Sequence, residues 1–184
     1  MDRLAEIADR LTEVSGVVGV CLGGSRARGT HSPSSDFDLG LYYRPPLDTA
    51  ALRLLAAELT GGPVEVTEPG GWGPWVDGGS WLTVDGHAYV GELALGRILA
   101  DPGGELQALR QQTRRYPEPL REALIANARW EAPFILAGAR KGAARGDAFY
   151  AAGCLFRAVG VLVHALHAHA RTWVPLDRVD TAIT

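Results

Sequence analysis

The first 86 residues alternate between helical and strand-like patterns of apolar positions. Apolar residues recur at helical spacing over residues 2–15, which predicts an amphipathic helix ending at Gly16. Residues 17–22 are continuously apolar and predict a buried strand. Residues 36–43 alternate and predict a second strand, which begins at an acidic pair and stops before two prolines.

The pattern continues with a shorter helix and two further strands. Asp48 is placed to cap a helix over residues 48–59, since a carboxylate at that position accepts hydrogen bonds from first-turn amides. Residues 64–67 and 80–84 predict strands, separated by a loop rich in Gly, Trp and Pro at 68–79.

After residue 87 the composition shifts to Ala, Leu and Arg, and the pattern becomes helical. Four helices are predicted over residues 88–100, 104–114, 118–145 and 147–170. Asp147 is the predicted N-cap of the last helix, which carries a wide apolar stripe. We therefore predict an α+β protein, with a small mixed β-sheet core in residues 1–86 and a C-terminal helical bundle in residues 87–184.

Composition narrows the class of protein. The chain has 184 residues and a net charge of −3, so it fits one small α/β domain with a helical companion, and nucleic acid is not an expected partner. Cys21 and Cys154 lie far apart in apolar runs and predict buried free thiols. The N-terminus has no signal-peptide pattern, and the apolar stretch at 158–170 is too short to span a bilayer, which indicates a cytoplasmic protein without membrane partners.

The segment 23–38 contains the residues best suited to chemistry. Gly23, Gly24 and Ser25 come directly after the first strand and predict a tight turn into a short helix. Backbone amides at such a turn, together with the Ser25 hydroxyl, cradle phosphate oxygens. A Gly-Gly-Ser triplet by itself is also a common turn, so its interpretation depends on the neighbouring residues.

Asp36 and Asp38 are two residues apart, so on a strand both carboxylates would project from one face. Two carboxylates close together favour Mg²⁺, which prefers oxygen ligands and completes its coordination with water and phosphate. Arg26 and Arg28 are near enough in sequence to neutralise a triphosphate. Alone, an Asp-x-Asp pair usually marks a solvated strand edge.

The combination resembles the signature of the nucleotidyltransferase superfamily typified by DNA polymerase β, in its small bacterial branch with kanamycin and lincosamide nucleotidyltransferases. The resemblance implies that Gly23, Gly24, Ser25 and Arg28 bind a nucleoside triphosphate. It also implies that Asp36 and Asp38 are catalytic and hold two Mg²⁺ ions. The implied reaction moves a nucleoside monophosphate, AMP by expectation, to a hydroxyl of a small-molecule acceptor.

This chain departs from the family pattern at the position of the third carboxylate. Relatives carry that acid on a strand after a turn like Val84-Asp85-Gly86, whereas here the helical half begins at once. Asp85, Asp77 and Glu65 are the candidate replacements, with Asp85 first. Without a replacement, the chain would be a nucleotide-binding or regulatory protein lacking turnover.

Several other residues admit a functional and a structural interpretation. His164, His167 and His169 could bind a metal, although histidines on a helix are more often structural. The tryptophans of the Gly-rich loop could stack on a base, although packing under the loop is the commoner role. The helical half would form any homodimer, and it could also bind a protein acceptor, as in antitoxin-like nucleotidyltransferases that modify a partner.

Overall fold

A computed structural model of the protein describes residues 3–69 and 87–174. The chain divides into two compact units, an N-terminal unit of Met1–Arg114 and a C-terminal unit of Arg115–Thr184. The elements of the N-terminal unit are α1 (Arg3–Thr12), β1 (Val17–Leu22), α2 (Gly24–Arg28), β2 (Leu39–Tyr43), α3 (Thr49–Thr60), α4 (His87–Leu95), β3 (Arg97–Ala100) and α5 (Glu105–Thr113). The C-terminal unit contains α6 (Glu118–Ala144) and α7 (Ala148–Ala170).

The sheet of the N-terminal unit has the order β2-β1-β3. β1 pairs antiparallel with both neighbours, with Val20 opposite Leu41 on one side and Ala100 on the other. The predicted α+β class is therefore confirmed. The sheet was expected to be mixed, but all the strand pairing in the described part of the chain is antiparallel.

β3 is the principal element that the hydrophobic pattern did not predict. Residues 88–100 were expected to form one helix, but α4 ends at Leu95 and the chain then enters the sheet. Gly96 permits this change: a Cβ there would lie 2.6 Å from the Cys21 Sγ and 3.0 Å from the Leu22 carbonyl oxygen. Since a side chain cannot occupy that space, only glycine allows so close an approach to β1.

The N-terminal compact unit extends to Arg114, whereas the domain boundary expected after residue 86 stays a prediction. Through β3, the segment after α4 is hydrogen-bonded into the sheet. Helix α5 also belongs to this unit, because its fully buried Leu106 packs against Gly19 of β1. Composition alone could not reveal these pairings, since it records only the change toward Ala and Leu.

Helices cover both faces of the sheet. One buried cluster joins Ala8, Leu11 and Val14 to Val20 of β1, with leucines of α3 packed against it. A second cluster joins Cys21 to Leu93 of α4 and Leu106 of α5. These two cores fix β1 at the centre of the unit, so the residues directly after its last position, Leu22, emerge at a well-defined point.

The region around α3 confirms one prediction and corrects another. The Asp48 carboxylate accepts a hydrogen bond from the Ala51 amide at 2.9 Å, as expected of an N-cap. Residues 64–67, predicted as a strand, are not in one. The Val66 carbonyl instead accepts a hydrogen bond from Arg53 of α3 at 3.0 Å, which holds this segment against the helix. The predicted strand at 80–84 lies outside the described residues.

The C-terminal unit is a hairpin of two long helices. Small residues of α6, including Ala132, Ala139 and Gly142, are buried, and a Cβ on Gly142 would lie 2.8 Å from the Tyr150 ring. The helices approach closely because small residues leave room for the facing backbone. Asp147 caps α7 by accepting from the Tyr150 amide at 3.0 Å, which confirms that prediction.

α7 is long and apolar enough to cross a membrane when judged by length and composition. The helix spans 23 residues. The sequence pattern drew attention only to the apolar stretch at 158–170, which by itself is too short to span a bilayer. Core helices of soluble proteins that meet the same criterion are mostly buried, whereas 6% of the apolar window of α7 is buried. In this chain α7 is packed along α6, which carries many charged residues.

Candidate active site

The predicted glycine turn is present at the end of β1. Gly23 is the N-cap residue of α2, and Gly24 has φ of +61°, a left-handed conformation that favours glycine. Gly24 is buried, and Ser25 beside it is half-buried. The short helix predicted to start at Ser25 starts one residue earlier, which agrees within the usual variation of helix boundaries.

The acidic pair lies before β2 rather than in it. The strand begins at Leu39, so Asp36 and Asp38 occupy an irregular, exposed segment. The strand therefore begins three residues later than expected, and the shared face of the two carboxylates stays a prediction. The Gly23 amide donates to the Asp38 carbonyl at 2.8 Å, which adds one hydrogen bond beyond the strand pairing and ties the acidic segment to the glycine turn.

Asp38 and the glycine turn are in intimate contact. A Cβ built on Gly24 would lie 1.8 Å from the Asp38 Oδ2 and 2.8 Å from its Cγ. Such distances are far below any real carbon–oxygen contact, so the Asp38 carboxyl occupies the space that a side chain at position 24 would need. The geometry at this point requires a residue without a Cβ, which explains the second glycine of the motif.

Arg26 has a role that its sequence position did not indicate. Its Nε donates to the Ser35 carbonyl at 2.9 Å and to the Asp36 carbonyl at 2.8 Å. The guanidinium carbon also lies 4.0 Å from the centre of the Phe37 ring, within the range of a cation–π interaction. In this structure the Arg26 guanidinium holds the backbone of the acidic segment, and its expected role in neutralising phosphate stays a prediction.

A further carboxylate approaches the turn from α4. A Cβ built on Gly23 would lie 3.2 Å from the Glu92 Oε2 and 3.8 Å from the Asp38 Cβ. Glu92 and Asp38 therefore border the same small space beside Gly23. Glu92 was not among the predicted site residues, because it lies in a helix 54 positions after Asp38 and no local motif marks it.

The other predicted site residues lie in several parts of the chain. Arg28 is half-buried in the last turn of α2, two residues beyond Arg26. Glu65 is exposed in the segment beside α3. Asp77 and Asp85, the other two candidates for the third carboxylate, lie outside the described residues, as do the tryptophans of the Gly-rich loop.

Metal ligation by the α7 histidines has no support in the part of the chain that the structure describes, where no group of three or more His, Cys, Asp or Glu side chains could hold a metal ion. The His167 Nδ1 lies 2.8 Å from the Thr172 hydroxyl, and the residue is buried at the end of α7. Burial lowers the pKa of His167 below its usual value of 6.5, because the charged imidazolium loses its hydration. Its burial and its contact with Thr172 indicate a structural role for His167.

The floor beneath the turn is apolar. Burial raises the pKa of the Cys21 thiol to about 11, and the positive charge of Arg110 opposes this shift while the negative charge of Glu92 adds to it. The pKa of Tyr42 is also raised, first by burial and further by the nearby Cys21, which is charged only at high pH, and the negative charge of Glu92. Both groups stay neutral near pH 7 and serve as packing under the site rather than as acids or bases.

Comparison with known families agrees with this geometry. Residues 2–68 match the model of the family described as Nucleotidyltransferase domain. The glycine turn and the acidic pair lie inside that match, which supports a relationship of this part of the chain to the nucleotidyltransferase superfamily. Residues 81–178, just over half of the chain, match the family described as Domain of unknown function (DUF4037), and the chain belongs to that family. Neither the curated proteins nor the solved structures gave a significant match.

Proposed function

We propose that this protein transfers a nucleoside monophosphate, AMP by preference, from a nucleoside triphosphate to a hydroxyl of a small-molecule acceptor. The observation that carries the proposal is the contact of Asp38 with Gly24, which joins the two halves of the motif at one point. In the reaction the acceptor oxygen forms a bond to the α-phosphorus, and the bond to pyrophosphate breaks. The acceptor loses its proton to a nearby base.

Gly23, Gly24 and Ser25 are the residues proposed to hold the triphosphate. Gly23 is the N-cap of α2, and the backbone amides of a turn into a helix are suited to bind phosphate oxygens. The Ser25 hydroxyl adds a neutral donor. Arg28, half-buried in the last turn of α2, is proposed to add positive charge beside the turn.

The donor set fits Mg²⁺. Asp36 and Asp38 offer two exposed carboxylates, and Mg²⁺ commonly takes one or two carboxylates together with water and substrate phosphates. A third protein ligand in the described residues is therefore not required for the ion to bind with its nucleotide. When bound, Mg²⁺ supplies the positive charge that opposes the charge of the phosphates.

Glu92 is proposed as the third carboxylate of the site. Its Oε2 borders the same space beside Gly23 as Asp38 does. A carboxylate at this position is suited to accept the proton of the acceptor hydroxyl, which is the role of a general base. The proposal replaces Asp85, whose position lies outside the described residues.

Nucleotide binding and transfer test the proposal in separate steps. Calorimetry with ATP, GTP, CTP and UTP, with and without Mg²⁺, should show Mg²⁺-dependent binding that Asp38→Asn weakens at least tenfold. Asp9→Asn, at an exposed carboxylate of α1, is the matched control and should bind like the parent. Pyrophosphate release against a panel of hydroxyl acceptors then tests transfer. Absence of any Mg²⁺-dependent nucleotide binding would contradict the proposal.

Glu92→Gln separates catalysis from binding. If Glu92 accepts the proton, the variant should bind nucleotide like the parent and release pyrophosphate at least 100-fold more slowly, since general-base catalysis contributes on the order of 10² to 10⁴ in rate. Glu122→Gln, at an exposed residue of α6, is the control. Equal rates for Glu92→Gln and the parent would remove Glu92 from the mechanism.

A second candidate function is nucleotide binding without turnover. It is favoured because, within residues 3–69 and 87–174, no group of three or more His, Cys, Asp or Glu side chains is arranged to hold a metal ion. This alternative expects Mg²⁺-dependent binding with no pyrophosphate release for any acceptor, and measurable release would exclude it. The finer resemblance to kanamycin and lincosamide nucleotidyltransferases and the cytoplasmic location both stay predictions.

A further inference from the structure

Arg26 connects the short helix α2 to the acidic segment, which comprises residues 35–38. Its Nε donates to the Ser35 and Asp36 carbonyl oxygens at 2.9 and 2.8 Å, and its Nη2 donates to the Ser35 carbonyl as well. The guanidinium carbon also lies 4.0 Å from the centre of the Phe37 ring. One half-buried side chain therefore contacts three consecutive residues of this segment.

The glycine turn holds the other end of the acidic segment. The Gly23 amide donates to the Asp38 carbonyl at 2.8 Å, and the Asp38 carboxyl occupies the space that a Cβ on Gly24 would need. Gly24 and Arg26 both belong to α2, which follows the central strand β1 after a single residue. The acidic segment is thus attached at both ends to one element that leaves the core of the N-terminal unit.

These attachments matter because Asp36 and Asp38 are exposed and lie outside β2, where strand pairing does not order them. Both are the Mg²⁺ ligands of the function proposed above, and the present inference rests on that function. Mg²⁺ demands near-ideal octahedral geometry. Ligands whose backbone is already fixed bind an ion more tightly than ligands that must first be ordered, because ordering costs conformational entropy.

The positive charge of Arg26 acts in the opposite direction to its hydrogen bonds. A guanidinium repels a nearby divalent cation, so through charge alone its removal would strengthen the binding of Mg²⁺. Through its hydrogen bonds to the Ser35 and Asp36 carbonyls, its removal would weaken that binding. The sign of the change in metal affinity therefore distinguishes the two roles.

We propose that Arg26 is a positioning residue of the metal site, which holds the backbone around Asp36 so that Asp36 and Asp38 are in place before Mg²⁺ binds. Arg26 acts through these two residues rather than by contact with the nucleotide. Groups that hold metal ligands in place commonly contribute about 10- to 100-fold to metal affinity.

Calorimetry with a non-hydrolysable ATP analogue at increasing Mg²⁺ concentration tests the proposal. Arg26→Ala should raise the half-saturating Mg²⁺ concentration about 10- to 100-fold, and binding of the analogue without metal should not change. Excess Mg²⁺ should recover binding, because both carboxylates are still present. Arg53→Ala is the matched control and should need as much Mg²⁺ as the parent, since Arg53 likewise donates to a backbone carbonyl, that of Val66 at 3.0 Å, but lies on α3.

Arg26→Lys tests the same point with a smaller change, and it serves where Arg26→Ala fails to fold. The substitution keeps the positive charge but loses the planar donor set that reaches the Ser35 and Asp36 carbonyls. It should therefore also raise the half-saturating Mg²⁺ concentration, whereas a role through charge alone predicts no change. Hydrogen exchange of the β1 amides should be as slow as in the parent, which establishes that each variant is folded.

Failure of this inference and failure of the proposed function give different results. A parent chain that shows no Mg²⁺-dependent binding of the analogue would contradict both. If the parent does show it, an equal or lower Mg²⁺ requirement in a folded Arg26→Ala or Arg26→Lys variant would overturn the positioning role alone. A loss of analogue affinity that is equal with and without Mg²⁺ would also overturn it, because it would indicate direct contact of Arg26 with phosphate.

Discussion

Adding one methyl group at position 24 tests the geometry on which the site depends. In Gly24→Ala the new Cβ would lie 1.8 Å from the Asp38 Oδ2, whereas carbon–oxygen contacts are normally about 3.3 Å or longer. The Asp38 carboxyl must therefore move by about 1.5 Å. Because its Cγ and Cβ would also be within 2.8 and 3.3 Å of the new atom, rotation of the carboxylate alone does not relieve the contact.

The expected loss of folding stability in Gly24→Ala is the sum of two separate effects. A non-glycine residue in a left-handed conformation costs roughly 1 to 2 kcal/mol, and overpacking costs about 1 to 3 kcal/mol more. Gly29 provides the control: its φ is +72°, and nothing lies within 4 Å of a Cβ built there. Gly29→Ala should therefore show only the first cost, and the difference between the two variants should be about 1 to 3 kcal/mol.

Hydrogen exchange of the β1 amides is a suitable assay, since it reports opening of the N-terminal unit without requiring the two units to unfold together. Gly24→Ala should also lose Mg²⁺-dependent nucleotide binding, and any transfer should fall on the order of 100-fold, as expected when a reacting group moves by about 1 Å. Equal destabilisation and equal nucleotide affinity in the two variants would refute the inferred contact of Asp38 with Gly24.

Arg26→Ala should speed hydrogen exchange about tenfold in the acidic segment, because charge-assisted hydrogen bonds to its carbonyls are lost. Arg26→Lys should not restore protection, since an ammonium lacks the planar fork. Arg44→Ala is the control. An unchanged exchange rate in Arg26→Ala would show that Arg26 does not hold this segment. Burial lowers the pKa of His167 below 6.5 in the folded protein. As the pH falls, this histidine is therefore protonated in the unfolded chain before it is protonated in the folded protein, and stability should fall below about pH 6.5. Thermal melts between pH 8 and 5 should show a weaker dependence for His167→Gln and an unchanged one for His169→Gln; matching slopes in the parent and His167→Gln would count against this. Cys21, with its pKa raised to about 11, should resist iodoacetamide at pH 8 until denaturant is added, as mass spectrometry of its peptide would show, and rapid native labelling would contradict its burial.

Features determined by nearby residues were predictable from the sequence. The strand at residues 17–22 and the caps at Asp48 and Asp147 are encoded in short patterns, because a continuous apolar run and a capping carboxylate act within one or two turns. The glycine turn is of the same kind. Its φ at Gly24 requires glycine whatever the rest of the fold does.

Features that depend on distant residues were not predictable in this way. β3 forms because Gly96 allows the chain to approach β1, which lies more than 70 positions earlier. Residues 64–67 have strand-like alternation, yet hydrogen bonding to Arg53 holds them beside α3. Similarly, Asp36 and Asp38 precede the strand they were expected to start, and Arg26 binds the backbone carbonyls of Ser35 and Asp36 in this segment.

Glu92, the residue proposed above as the third carboxylate, shows why an acid supplied by a helix is hard to anticipate from the sequence. The family resemblance directs attention to a strand after residue 84, and position along the chain cannot indicate an acid brought in by a helix. Leu93, adjacent to Glu92, is 5% exposed in the core beside Cys21, and the Gly96 amide donates to the Glu92 carbonyl at 2.7 Å where α4 ends. These contacts hold α4 against β1 and leave the Glu92 carboxylate beside Gly23. The packing of the second core, rather than a sequence motif, therefore places an acid next to Asp38.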